Sequence, residues 1–107
     1  MHTNRIDHLQ SLIVNNPNDT FALFALAKEY EKLTDWKMAA QVFENLLVID
    51  EKYLGAYYHL AKTYEQLLEV TKALNIYERG IILAQQLGEH KTLSELKNAK
   101  MNLEIEL

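Results

Sequence analysis

Ala22-Leu23-Phe24-Ala25-Leu26-Ala27-Lys28-Glu29-Tyr30-Glu31-Lys32-Leu33 returns thirty-four residues later as Ala56-Tyr57-Tyr58-His59-Leu60-Ala61-Lys62-Thr63-Tyr64-Glu65-Gln66-Leu67, with seven of the twelve positions identical. Ala39 and Glu44 then meet Ala73 and Glu78, making nine identities over 34 paired positions. Composition alone would give about two or three. Val42 with Ile76, Phe43 with Tyr77, Leu47 with Ile81 and Val48 with Ile82 are conservative pairs at the same offset. The chain therefore contains an internal repeat, and the repeat decides the fold.

Within each unit the apolar residues recur at three- and four-residue steps. Ala56, Tyr57, Leu60, Ala61, Tyr64 and Leu67 share one face of a helix, and Trp36, Ala39, Ala40, Phe43, Leu46 and Leu47 share another. Thr34-Asp35 separates the two stripes of the first unit, and Asp35 is a natural N-cap. Each unit thus reads as a helical hairpin that cannot bury its stripe alone, so hairpins are expected to stack.

The period and landmarks resemble the tetratricopeptide repeat, whose pattern is W-x2-L-G-x2-Y, then A-x3-F, then P. The first unit supplies Leu23, Leu26, Ala27, Tyr30, Ala39 and Phe43, and the second supplies Tyr57, Leu60, Ala61, Tyr64, Ala73 and Tyr77. The resemblance covers roughly residues 18 to 86. It implies an all-α fold of stacked antiparallel helical hairpins forming a short right-handed solenoid. The departures are specific. The glycine of the first helix is Ala27 and Ala61, the turn glycine is Thr34 and Leu68, the closing proline is Glu51 and Gln85, and Gly80 stands where the family prefers alanine.

Outside the two units, Ile6, Leu9, Leu12 and Ile13 fall at helical spacing ahead of the Asn15-Asn16-Pro17-Asn18 break, so a half-repeat helix is expected first. Gly88 reads as the C-cap of a long helix. Thr92-Leu93-Ser94-Glu95 has the form of a capping box, followed by a narrow apolar stripe of Leu93, Leu96, Ala99 and Leu103. Six helices are predicted, at 4–15, 19–33, 36–49, 53–67, 70–87 and 92–105. One domain over 1–107 would comprise a half-repeat (4–17), two repeats (18–52 and 53–87) and a capping helix (88–107).

Composition narrows the function. Hydrophobic residues make up 49% and charged residues 24% of 107, the profile of a globular chain. The absence of cysteine removes disulfides, thiolate metal sites and cysteine nucleophiles, and fits a reducing compartment. Asp7 and His8 interrupt any apolar core a signal peptide would need. The longest apolar run, Phe21 to Ala27, is far short of a membrane span, so no membrane association and a cytoplasmic location are expected. A net charge of −4 without a basic stripe argues against nucleic acid.

No reaction chemistry emerges. His2, His8, His59 and His90 never pair at ligand spacing, so no metal is expected. Ser11 and Ser94 lack the surroundings of a nucleophile, and no glycine-rich phosphate loop is present. Neither a cofactor nor an enzyme activity is expected.

The remaining candidates are binding residues. In the resembling family the first helix of each hairpin lines a concave face where peptides or partner helices bind. That implies a groove carrying Phe24, Lys28 and Glu31 from one unit and Tyr58, Lys62 and Glu65 from the next. Aromatic rings would supply affinity and lysines would orient an acidic partner. The same residues equally allow Phe24 and Tyr58 to pack on neighbouring helices while the Lys and Glu rows pair along a solvated face. The chaperone carboxylate clamp of some family members is absent, because Phe24, Lys28 and His59 stand where its Lys and Asn residues would be. The expected function is an adaptor for a polypeptide partner; the alternative is a homo-oligomeric self-assembly module or a small subunit of a larger complex.

Overall fold

The computed structural model describes residues 4–107. His2, one of the four histidines weighed above as metal ligands, lies outside the described residues, as do Met1 and Thr3. Six α-helices and no strand occur among the described residues: α1 (Arg5–Asn15), α2 (Thr20–Lys32), α3 (Trp36–Ile49), α4 (Leu54–Gln66), α5 (Val70–Leu87) and α6 (His90–Glu106). The fold is all-α and built from helical hairpins, as expected. The chain divides into two compact units, Met1–Glu51 and Lys52–Leu107.

In the first unit α1 packs on α2, and α2 pairs with α3. Asn4, Asp19 and Asp35 cap the three helices, accepting from the backbone N–H of Asp7 at 2.8 Å, Ala22 at 3.0 Å and Met38 at 3.3 Å. Each cap satisfies an otherwise orphaned donor. Ala22, Leu23, Leu26, Ala27 and Tyr30 of α2 and Ala39, Phe43, Leu46 and Leu47 of α3 are buried. The Tyr30 hydroxyl accepts from Gln10 Nε2 at 3.1 Å, which ties α1 to α2 at the edge of that core. Of the predicted α1 stripe only Leu9 is buried; Ile6 and Ile13 are half-buried and Leu12 is exposed. Trp36, expected in the core, is half-buried, because the first residue of α3 lies at the end of the hairpin.

In the second unit α4 pairs with α5, and α6 packs on α5. Ala56, Tyr57, Leu60, Ala61 and Tyr64 meet Ala73, Ile76, Tyr77 and Ala84, with Leu96, Ala99 and Leu103 of α6 also buried. Ala27, Ala39, Ala61 and Ala73, singled out as close-approach residues, are all fully buried.

The α2–α3, α4–α5 and α5–α6 turns use one device. Thr34, Leu68 and Gly88 take left-handed conformations with φ of 57°, 60° and 69°. The next N–H then reaches back five residues: Asp35 to the Tyr30 carbonyl at 3.0 Å, Glu69 to Tyr64 at 2.9 Å and Glu89 to Ala84 at 3.0 Å. This closure ends a helix and starts its partner after two or three residues. The family's turn glycine belongs at this conformation, and Thr34 and Leu68 adopt it against a steric penalty of about 1–2 kcal/mol. Leu68 is 86% exposed, so its side chain offsets little of that penalty by packing. Leu68→Gly is therefore expected to stabilise by about 0.5–1 kcal/mol after allowing for glycine's freer unfolded chain, read as a raised denaturation midpoint.

The same turn corrects the predicted start of α6. Closure at Gly88 makes Glu89 the N-cap, and α6 begins at His90. Thr92 falls inside the first turn, and Glu89 makes no side-chain capping bond, so the Thr92–Glu95 pattern is not a capping box. A local motif lost to the geometry of the preceding helix end.

Candidate functional site

One turn separates Phe24 from Lys28 on α2, so the two side chains share a face. Lys28 Nζ lies over the Phe24 ring, 5.4 Å from its centroid. The half-buried Phe24 ring also meets the fully buried Phe43 of α3 edge-on, with centroids 6.0 Å apart and planes at 61°. The hairpin core thus anchors the ring, and the ring positions the ammonium. The second unit repeats the arrangement: Lys62 Nζ lies 5.9 Å from the centroid of the half-buried Tyr58 ring on α4. Attraction between a cation and the negative face of a ring pre-orients each lysine.

The two glutamates differ. Glu65 lies 3.9 Å from Lys62 and accepts a hydrogen bond from the Tyr77 hydroxyl of α5. Burial, reinforced by that bond and by the charge of Glu65, holds the Tyr77 phenol well above the ordinary tyrosine pKa. Glu65 is therefore partly committed to the fold. Glu31 is half-buried on α2, and the residue equivalent to Tyr77 is Phe43, which has no hydroxyl to donate.

The surroundings add residues that the repeat did not single out. In the first unit a recess of about 440 Å³ is lined by the half-buried Phe24 and Ala25 and by Phe21, Arg5, Lys28, Glu29 and Lys32. Arg5 Nε and Lys32 Nζ each reach the same Glu29 oxygen at 3.1 Å, which holds α1 against α2. Three cations against one carboxylate leave this recess positive in a chain of net charge −4. In the second unit Tyr58 and Lys62 face Glu95, Asn98, Ala99 and Asn102 of α6 across a recess of about 370 Å³. Its one lysine and one carboxylate nearly balance, and its amides offer hydrogen bonds in both directions.

Phe21, Phe24, Lys28 and Lys32 follow one another at three- and four-residue steps, so their stripe was legible as helical spacing. Recurrence hid it, because Phe21 and Lys32 correspond to Gly55 and Gln66 in the second unit. Arg5 and the α6 residues carried no local signal. Such a surface offers apolar contact, fixed charge and hydrogen bonding, which is the chemistry of recognition. Among the described residues no cluster of His, Cys, Asp and Glu could hold a metal ion, and no helix is long and apolar enough to cross a membrane.

Comparison with known proteins agrees with the architecture. Residues 22–55 match the model of the tetratricopeptide repeat family. A tetratricopeptide repeat domain protein from Salinibacter ruber, solved by NMR, is 42% identical with a TM-score of 0.77, over 83% of this chain and 90% of that one. The type III secretion translocator chaperone SycD of Yersinia enterocolitica is similar in fold, with a TM-score of 0.88 at 16% identity, covering 94% of this chain and 70% of that one. So is the TPR2B domain of yeast Sti1, solved in complex with pHsp70, with a TM-score of 0.88 at 15% identity, covering 95% of this chain and 82% of that one. No curated protein matches the chain. The chain belongs to the tetratricopeptide repeat family.

Proposed function

We propose that this protein is an adaptor that holds another polypeptide on the faces of α2 and α4 that carry the aromatic–lysine pairs. The observation that carries the reading is the recurrence of one side-chain geometry, Lys28 over Phe24 and Lys62 over Tyr58, in two separately packed hairpins. Packing of the first hairpin's core uses the contact of Phe24 with Phe43 but does not require an ammonium over the ring. A half-buried aromatic held in place loses little freedom on binding, and an adjacent cation selects carboxylates on the partner. Polypeptide partners have precedent on this fold, since the Sti1 domain was solved with pHsp70 and SycD is a translocator chaperone.

The test uses a partner captured from native extract and titrated at low and moderate salt. Tyr58→Ala is expected to weaken binding by about 1–2 kcal/mol, as for an aromatic hot spot. Lys28→Glu with Lys62→Glu is expected to weaken it further and to flatten its salt dependence, because exposed charges act through screened fields. Helical content should stay at the wild-type level in both. Unchanged affinity in these folded variants would place binding on another surface.

A further inference from the structure

The positive recess of the first unit has its chemical complement elsewhere in the same chain. The last turn of α6 contains no basic residue, although the carbonyl end of a helix favours cations, and instead carries Glu104 and Glu106. Lys100 pairs with Glu104 at 3.4 Å but is shared with Glu78, also at 3.4 Å. Met101 and Ile105, one turn apart, stand exposed beside these carboxylates, Ile105 at 75%. The final turns of α6 thus present two carboxylates together with two exposed apolar side chains. The recess offers the opposite set: Arg5, Lys28 and Lys32 around Phe24, with Phe21 75% exposed at its rim.

We propose that this recess receives the end of α6 from a second copy of the chain, with Ile105 against Phe21 and Phe24 and with Glu104 and Glu106 facing Lys28, Lys32 and Arg5. The inference rests on the α2 face being a binding surface and commits the first unit's part of it to self-assembly. The contact joins two different patches. It therefore closes as a dimer if two copies exchange it reciprocally, and otherwise extends into a ring or chain.

Sedimentation velocity on the full chain, from micromolar to near-millimolar concentration at low and moderate salt, tests it. Wild type should self-associate, more weakly as salt rises. Lys28→Glu/Lys32→Glu and Glu104→Lys/Glu106→Lys should each weaken association at least about tenfold, and mixing the two should restore it, because each then presents the charge the other lacks. Phe21→Ser, at an exposed position, should weaken it without loss of helix. A wild type that stays monomeric, an association indifferent to either reversal, or a mixture that fails to recover would each overturn the proposal. Titration of the captured partner separates this from failure of the adaptor reading. A partner sensitive to Lys28→Glu/Lys62→Glu but indifferent to Glu104→Lys/Glu106→Lys leaves that reading intact, with the recess serving a different acidic polypeptide.

Discussion

Gly80→Leu is expected to destabilise the protein by about 3 kcal/mol or more, the upper end of overpacking costs. A Cβ at Gly80 would stand 2.9 Å from Tyr57 Cβ and 3.1 Å from Leu96 Cδ1. Leu96 can swing its methyl aside, but Tyr57 Cβ is fixed to the α4 backbone, so the helices themselves would have to separate. The repeat explains the close approach. At the equivalent positions of the first hairpin stand Leu23 and Leu46, both buried, where the second has Tyr57 and Gly80. Two medium side chains in one unit are exchanged for one large side chain and none in the other, and Tyr57 stands where a side chain at position 80 would begin. Tyr57→Leu in the Gly80→Leu background should therefore recover most of the lost stability, measured by chemical denaturation. A double variant no more stable than Gly80→Leu would mean that the clash lies with α6 and not with Tyr57.

Tyr77→Phe should cost about 1.5–3 kcal/mol near neutral pH, since it removes the hydrogen bond that a fully buried phenol donates to a charged carboxylate. Its pH dependence is more diagnostic. The folded state raises the pKa of Tyr77 above the ordinary value near 10. Below pH 10 both states hold the proton and the contribution is complete. As pH rises beyond about 10 the unfolded chain releases a proton that the folded chain keeps, and wild type loses about 1.4 kcal/mol per pH unit through this residue. Tyr77→Phe lacks that loss, so the stability gap between the two should narrow steadily from pH 10 upward. A gap constant across this range would mean that Tyr77 ionises in the fold as it does in the unfolded chain.

Much of the candidate site was legible because its parts are local. Phe24–Lys28 and Tyr58–Lys62 are neighbours one helical turn apart, and any helix through them brings each pair together. Glu65 was legible as a surface residue but not as the acceptor of Tyr77, twelve residues away on another helix. Arg5 was invisible for the same reason. It enters the recess through Glu29, 24 residues on, and only the packing of α1 on α2 makes that distance short.

By itself the sequence determined the helical class, the 34-residue period, the positions of α3 and α5 to the residue, and the caps at Asp35 and Gly88. These follow from side-chain spacing and from backbone groups within four residues of one another, which the chain specifies before any helices meet. Tertiary structure alone decided the left-handed Thr34 and Leu68, the start of α6, the exchange of bulk between Tyr57 and Gly80, and the positive recess beside Phe24. Each of these depends on how closely two helices approach or how one hands the chain to the next, and that distance is set by the summed packing of a whole unit, which no local pattern records.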